Sequence, residues 1–526
     1  MAEALRSQER EGWIDVIVDE IISLLYTTQS LVEEDIDESL PYLLIHGTMQ
    51  LKKKMKTADI VEKLKARLCA CGNELEQVDA ATYSPTVAAL THATLLQIAV
   101  HDKMHLQTID TVSAYLCQDY PQDTTPLYLK LPKLVAEVCG LDPHKTYRVK
   151  KYIYGLPDAG RAYYDAYSNH LIENGFSRSI SDPCLFYRFI DSINRIYVWI
   201  HVDDTLVAAS RLEDIDAFKE TMQKRFKITV NEAADQHLGV NIERLPDGSL
   251  KLTQSKLLRA VFTEFPVDGD GSRRHHLVPL IPNKTSKNHD LIDRTIYLHL
   301  LGMLNYLLRS RPDIATALSF AATKAVSPTC DDFDNLLDIV RYLWRTQDVG
   351  LTIRPGDPTA PLHLHCYVDA SFLTHPDSRG HSGYCLCLGD LGSFYSKSMK
   401  QTMVATSSTH AEIKALYQLV VDLIYVIHIC EEIGRPVHLP AVIFEDNLPA
   451  VQLSEPLSSR AKKSRHFLML VNFIREYVMM GLITIKKIKS EDNVADLLTK
   501  SLDFRSFAPK AARLLGLDSY PSEIDA

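Results

Sequence analysis

Cysteine is scarce and unpatterned in this chain of 526 residues: there are ten, none at the spacing of a zinc site. Cys69/Cys71 and Cys385/Cys387 are C-x-C steps, most simply same-face residues of strands, and reduced intracellular thiols are expected. No stretch of about 18 uncharged apolar residues occurs, so no membrane span is expected. The longest apolar run, Leu416 to Cys430, is broken by Gln418, Asp422 and His428 and reads as a buried helix. The acidic first residues carry no basic segment followed by an apolar one, so no secretory leader is expected. Internal repeats and low-complexity tracts are also missing. The net charge of −10 argues weakly against a nucleic-acid partner. That objection weakens once the charge is located. Residues 1–50 hold eleven acidic side chains against two arginines, and the rest of the chain is near neutral. Basic clusters lie within that remainder: Lys52-Lys53-Lys54 with Lys56, Lys462-Lys463 with Arg465 and His466, and Lys486-Lys487 with Lys489. Each is either a solvated face or a phosphate contact.

What is present is ordinary globular material, 46% apolar and 24% charged. The length is too great for one core and predicts three or four domains. Residues 1–60 predict one or two helices, with Trp13, Ile17, Ile21 and Leu24 at helical spacing. Leu106 to Leu116 is strand-like, 160–175 helix-like, and 213–226 a helix. Leu238 to Gln254 predicts a hairpin turning at Pro246-Asp247-Gly248. Residues 266–290 read as a linker, Tyr297 to Thr346 as helical, and Pro355-Gly356-Asp357-Pro358 as a boundary. From Leu362 to Gly481 the predicted order is strand, strand, strand, helix, strand, helix.

His201-Val202-Asp203-Asp204 is the most informative stretch. Two adjacent acids sit between the β-prone runs Ile196 to Ile200 and Thr205 to Ala209, a hairpin pattern. At about 4 Å, like charges repel by about 1 kcal/mol in water and about 4 kcal/mol at an effective dielectric of 20. A hard divalent cation reverses that sign. A solvated turn is the plainer reading of such a pair. A third acid, Asp110, lies in the strand-like segment His105 to Leu116, as either a strand-end cap or a further ligand. Three carboxylates facing one another could hold two cations, the arrangement used for in-line phosphoryl displacement.

The second constellation lies beyond residue 360. Leu362 to Val368 alternates strictly and ends at Asp369; Ser382 to Leu388 reads as the next strand. Thr409-His-Ala-Glu412 opens a long helix, where Glu412 could close a capping box. Val442-Ile-Phe-Glu445-Asp446-Asn447 is a short strand ending in acids. Asp496 in Asn493 to Lys500 falls near the start of a last helix, where the helix dipole is an alternative explanation.

These stretches together resemble the Pol polyprotein of copia-type LTR retrotransposons, in its reverse transcriptase and ribonuclease H regions. Ile109 to Leu116 resembles the first polymerase motif. Tyr154-Gly-Leu-Pro-Asp158-Ala-Gly-Arg161-Ala-Tyr163-Tyr164-Asp165 resembles the family's YGLKQAPRAWYD block, and His201 to Asp204 its YVDD box. His237-Leu238-Gly239 with Gln254, Arg311-Pro312-Asp313-Ile314 and Tyr342 to Thr346 follow in family order. Asp369-Ala-Ser, Ser382-Gly383-Tyr384, Ser407 to Glu412, Asp446-Asn447 and Ala495 to Lys500 resemble its ribonuclease H blocks.

The resemblance implies an α+β right-hand polymerase followed by a ribonuclease H-like α/β domain with a mixed five-stranded sheet. Residues 1–262 would form fingers and palm, 263–358 a thumb or connection, 359–500 the ribonuclease H, and 501–526 a C-terminal tail. Asp110, Asp203 and Asp204 would ligate the polymerase metals, with the Thr111 carbonyl as a further ligand. Tyr115 would be the steric gate, unless it is an ordinary core aromatic. Lys65 and Arg67 would face the triphosphate, unless they are a solvated strand face. Asp369, Glu412, Asp446 and Asp496 would bind the nuclease metals, with Glu445 a competitor of Asp446. Mg²⁺ or Mn²⁺ is implied, two ions per active site. RNA template, DNA primer, RNA–DNA hybrid and dNTPs are the implied partners, with element-encoded integrase and capsid proteins, and no membrane. The implied location is cytoplasmic, in a virus-like particle, with the nucleus as the alternative.

This chain departs from the pattern in places. His201 stands for Tyr, Asp158 for Gln, and Tyr163 for Trp. No His occurs between Gly481 and Asp496, where some ribonucleases H place a mobile one. Neither an Asp-Thr/Ser-Gly protease signature nor the His/Cys zinc pattern of an integrase is present. The alternative expectation is therefore a truncated or domesticated, catalytically inactive nucleic-acid-binding descendant. A ribonuclease H on an inert N-terminal scaffold is a third.

Overall fold

The computed structural model describes the chain apart from residues 56–60, 76–81, 123, 268–277, 280–289, 390–391, 457–466 and 522–526. Lys56, the cluster Lys462, Lys463, Arg465 and His466, and most of the linker expected at 266–290 lie outside the described residues.

The N-terminal helix Arg10–Ile22 forms as its spacing predicts, with Trp13, Ile17 and Ile21 buried. Beyond it the chain turns to strands rather than to a second long helix. Leu31–Glu33 and the long Leu43–Met55 belong to a five-stranded sheet that also contains Thr146–Val149, Leu127–Lys130 and Val61–Ala70. Strand pairing overrides local propensity there, since Leu31, Ile45 and Leu68 are all fully buried in one core.

A six-stranded antiparallel sheet comes next. Its strands run in the order Ile228–Asn231, His105–Thr111, Asp204–Ala209, Arg195–His201, Leu185–Phe189, Ser177–Arg178. The hairpin Arg195–His201/Asp204–Ala209 is central, which explains why its sequence is continuously apolar rather than alternating. Tyr197, Val198, Trp199, Leu206 and Val207 are all fully buried. Helices Ala159–Glu173 and Leu212–Gln223 supply Tyr163, Tyr167, Leu171, Ile215 and Phe218 to the same core. The segment expected as one strand to Leu116 stops at Thr111 and turns into a short helix, Ala114–Cys117, after Ser113 at φ 56°.

The hairpin at 246–248 is present, and Leu351–Ile353 adds to it. Helix Ser255–Glu264 runs through the boundary expected at 262, so the helical region begins earlier. Three more helices complete this region: Arg294–Leu307, Ala315–Ala322 and Cys330–Arg345. They are tied by a fully buried ion pair. Arg311 meets Asp313 through two bonds of 3.0 and 2.8 Å and donates to the Thr346 carbonyl at 2.8 Å. The Tyr342 hydroxyl also donates to Asp313. Two sequence blocks far apart in the chain are thus one structural unit.

The last sheet is mixed and five-stranded. Ser393–Lys400, His381–Leu388 and Leu364–Ser371 are antiparallel; Ala441–Glu445 and Ile483–Lys487 continue in parallel. Helix Ser408–Glu432 crosses it. By length and composition this helix could cross a membrane, but 67% of its apolar window is buried inside the fold. The tail expected at 501–526 contains instead a helix, Phe504–Leu515. Its Phe507, Ala511, Leu514 and Leu515 are buried against the helices before the sheet, as its strong amphipathic pattern requires.

The palm and this last domain share one hydrophobic cluster, from Leu95 and Trp199 to Val368 and Leu419. Polar contacts fasten the same boundary. Arg435 holds Asp102 at 2.7 and 2.9 Å, Glu432 accepts the backbone N–H groups of Ile180 and Ser181 at 3.0 and 3.1 Å, and Tyr197 donates to the Ile433 carbonyl at 3.0 Å.

Candidate active sites

The palm hairpin turns on two residues. Asp204 pairs with His201 across it, leaving Val202 and Asp203 in the turn. Val202 has φ 60°, a conformation a β-branched residue rarely adopts and one that costs on the order of 1–3 kcal/mol. The turn it forms leaves Asp203 at the hairpin tip, next to Asp204 at the start of the returning strand. On the neighbouring strand Asp110 lies directly opposite Asp204, and the Thr111 amide donates to the Asp203 carbonyl at 3.2 Å. All three acids therefore meet at one sheet end.

Their electrostatics come from that meeting. Burial, then Asp203 and Asp110, push the Asp204 carboxyl up to about 6. Burial and Asp203 raise Asp110, while Lys65 and Arg67 pull it down. Those two exposed cations project from strand Val61–Ala70, within electrostatic reach of Asp110. Arg67 lies 4.5 Å over the Tyr154 ring, which meets Tyr115 edge-on at 5.0 Å. Tyr115 is half-buried, and Asp203 acts on its hydroxyl. It packs against both neighbouring hydrophobic cores while lying within electrostatic reach of Asp203. Tyr163 fills the core below and donates to Thr111 Oγ1 at 2.8 Å. Asp158 points away from the acids and accepts from the Tyr152 hydroxyl at 3.2 Å. The Nδ1 of His201 is buried without a partner, and burial and Arg309 lower its pKa. It borders a cavity of about 270 Å³ shared with His92, His237, Arg309 and Phe394.

The second site is tighter. Asp369, Glu412 and Asp446 each bring a carboxylate oxygen within 4.8 Å of the others, the one such group of three or more potential ligands among the described residues. Asp369 is 1% exposed and Glu412 5%. The capping role open to Glu412 is not used: Ser407 caps the helix, accepting from the His410 amide. Glu412 Oε2 has no partner, and neither does Oε2 of the fully buried Glu445. Burial raises both carboxyls, and Glu445 raises Glu412 further. Glu445 Oε1 accepts the Asn447 amide at 2.8 Å. Orphaned carboxylate oxygens in a buried cluster are the chemistry that a hard cation satisfies, so these residues fit a divalent ion.

Asp496 is placed differently from expectation. It sits in the short helix Val494–Leu498, ahead of the last long helix, and both its oxygens face lysines. Lys500 Nζ is 2.6 Å from Oδ1 and Lys510 Nζ 3.2 Å from Oδ2. Lys500 also lies 3.2 Å from Asp369, to which the Thr499 hydroxyl donates. Gly383 makes this approach possible. It pairs with Asp369 across the sheet, and a Cβ there would fall 2.7 Å from Leu498 and Thr499. Sequence reading does not single out Lys500 or Lys510. The i,i+4 spacing of Asp496 and Lys500 is the available signal for the first; Lys510 has none. The exposed Lys486 and Lys487 line the sheet's edge strand beyond this site.

A palm hairpin bearing carboxylates, facing fingers and followed by a mixed-sheet α/β domain defines a right-hand polymerase with a ribonuclease H-like domain. The solved structure of the foamy viral protease-reverse transcriptase dRH in complex with double-stranded DNA is similar in fold, with a TM-score of 0.52 and 12% identity, covering 90% of this chain and 69% of that one. A family model described as reverse transcriptase (RNA-dependent DNA polymerase) matches residues 45–278. The chain is 29% identical over 474 residues to the retrovirus-related Pol polyprotein from transposon RE2 of Arabidopsis thaliana, covering 87% of this chain and 31% of that protein. It is 23% identical over 465 residues to the transposon Ty1-NL2 Gag-Pol polyprotein of Saccharomyces cerevisiae, covering 84% and 26%. The chain thus spans under a third of the length of these two relatives. The matches bear out the resemblance to copia-type LTR retrotransposon Pol, with segment 45–278 the part that matches the reverse transcriptase family model.

Proposed function

We propose that this chain is an RNA-directed DNA polymerase that also cleaves the RNA strand of an RNA–DNA hybrid. The observation that carries the reading is the pair of separate carboxylate centres, one at the palm hairpin and one in the mixed-sheet domain. Asp110, Asp203 and Asp204 would hold the polymerase's divalent ions, Mg²⁺ or Mn²⁺, and Asp369, Glu412 and Asp446 those of the nuclease. Bound there, such ions supply Lewis-acid activation and neutralise developing charge. The protein's own part is positioning. The hairpin holds its acids where a primer 3′-oxygen can bond to the α-phosphorus of a dNTP as pyrophosphate leaves. Lys65 and Arg67 approach from the fingers with charge suited to the triphosphate, and the Tyr115 ring occupies space that a ribose 2′-hydroxyl would need.

In the nuclease, the same carboxylate chemistry would serve water attack on an RNA phosphodiester. RNA template, DNA primer, hybrid and dNTPs are the partners in this reading, with integrase and capsid proteins of the same element, in a cytoplasmic virus-like particle.

The test is primer extension on an RNA template, and cleavage of a labelled hybrid, with Mg²⁺ or Mn²⁺. Asp203→Asn is expected to stop synthesis and spare cleavage; Asp446→Asn is expected to do the reverse. A parent protein that binds template-primer yet shows neither activity would establish the inactive nucleic-acid-binding descendant instead.

A further inference from the structure

We propose that the face of the mixed sheet opposite helix Ser408–Glu432 is a docking groove for single-stranded RNA. The starting point is a pattern. A strand covered on both faces reads as a continuous apolar run, whereas the stretch from Leu362 to Val368 alternates. Leu362, Leu364, Cys366 and Val368 enter the core beneath the long helix. His363, His365 and Tyr367 point the other way, and Tyr367 meets the cluster that the last helix covers. A face that only met water would carry charged and hydroxyl side chains; this one carries rings.

The neighbouring strands extend the pattern. In register, Tyr367, Phe444 and Lys486 form one row across three strands, and His365, Val442 and Thr484 form the next. The Tyr367 and Phe444 rings stack at 5.2 Å with 23° between their planes, and His365 meets Phe444 at 6.0 Å. At the end away from Asp369, His363 lies 4.7 Å from His438. Arg513, on the last helix, lies 4.8 Å over the Tyr367 ring and donates to its hydroxyl. The groove these residues bound holds about 500 Å³. His363 and His438 are exposed, and His365 and Phe444 half-buried, so ring faces remain within reach of a ligand.

Charge selects the occupant. Lys486 and Arg513 are both exposed, and among the described residues no Asp or Glu lines the groove. Acids on the segments that follow them are turned to other cations: Glu491 to Lys489 at 3.4 Å, and Asp518 to Arg354 at 2.7 Å. In a chain of net charge −10, an acid-free groove with two cations is suited to an anion. Rings on which bases stack, flanked by cations for the phosphates, are the means by which proteins hold single strands. A duplex hides its base faces and cannot use them. Thr484 and the imidazoles of His363 and His438 offer donors and acceptors to a 2′-hydroxyl, which favours RNA over DNA. None of these residues is a candidate ligand of either carboxylate centre, so the groove does not depend on either centre being catalytic.

The experiment uses the full chain with the palm saturated by unlabelled template-primer duplex. A short RNA strand carrying 5-iodouridine is bound, its affinity is read by fluorescence anisotropy, and ultraviolet crosslinks are mapped by mass spectrometry. Crosslinks are expected in the peptides bearing His365 and Phe444. Lys486→Glu and His365→Ala are each expected to weaken the RNA by about tenfold, with His365→Phe near the parent. Lys486→Ala is expected to reduce the slope of log affinity against log salt by about 0.7. Circular dichroism confirms that each variant is folded. Parental affinity in folded Lys486→Glu, or crosslinks confined to other segments, would overturn the proposal. Equal affinity for the DNA strand of the same sequence would overturn the assignment to RNA. A dimer in light scattering that Lys486→Glu dissolves would give the face to a second copy of the chain and overturn it too. Absence of synthesis and hybrid cleavage in the parent would strike the proposed function and leave the binding result standing.

Discussion

Substituting Gly383 by alanine tests how the nuclease centre is assembled. The added Cβ would lie 2.7 Å from Leu498 Cβ and Thr499 Cγ2 and 2.8 Å from the Leu498 carbonyl. Carbon atoms pack best at about 3.5–4.0 Å, so the 494–499 segment must retreat by about 1 Å. Overpacking of this kind costs about 1–3 kcal/mol. The retreat also carries Thr499 and Lys500 away from Asp369, whose bonds to them are made by that segment alone. A displacement of about 1 Å at a catalytic constellation lowers rate by about 10²-fold. Gly383→Ala is therefore expected to lose hybrid cleavage by about that factor, with primer extension within about twofold of the parent and a lowered urea midpoint. Extension and cleavage are measured on the same preparation, so that loss of folded protein affects both. Cleavage at the parental rate would refute the reasoning, as would equal loss of both activities.

Arg311→Ala strands Asp313 in the core beside Tyr342, and should cost about 3–5 kcal/mol in chemical denaturation with little change in activity per folded molecule. Asp204 gives a pH signature. Its folded-state carboxyl is raised from 3.8 to about 6, so its stabilising contribution is complete below 3.8 and lost as pH rises through about 6. In EDTA, the parent should lose stability relative to Asp204→Asn between those values; parallel urea profiles would contradict it. Tyr115→Ala, by clearing the space above Asp203, should raise ribonucleotide use relative to deoxyribonucleotide by on the order of tenfold in single-nucleotide incorporation.

The sequence motifs locate both carboxylate centres because a metal site needs acids of fixed type at strand ends, and those leave a local trace. The central hairpin, the helices from 297 to 346 and the individual strands and helices of the last domain are legible for the same reason: their periodicities are local, whereas the mixed order of the last sheet is implied by the family resemblance. Lys500 and Lys510 are not legible as partners of Asp496. Their contacts depend on the 494–499 segment folding onto Gly383, which no spacing encodes. Glu412 could equally be a cap, and only the register of the long helix decides against it. The strand at 31–33 leaves no local signal because its partner, 146–149, lies more than a hundred residues away; 43–55 pairs with the nearby 61–70 as well as with the distant 127–130, so only part of its pairing is non-local. The last helix is legible in principle: Phe507, Ala511, Leu514 and Leu515 recur at helical spacing, a local signal that the reading of 501–526 as a tail passes over.

The joint core of palm and nuclease has a further consequence. Arg435 on Asp102, Glu432 on two backbone amides, and Trp199 and Leu419 in one apolar cluster leave no hinge at this boundary. The spacing between the two centres is then a constant of the fold, like the gap between two heads on one carriage. Under the proposed function, the cutting point on a duplex being copied would trail the growing end by a fixed number of base pairs, whatever the sequence passing through. Loosening Arg435 would blur that interval before it abolished either reaction. Severing the chain near Pro355 would not release two working halves, because each would expose the apolar face it now shares.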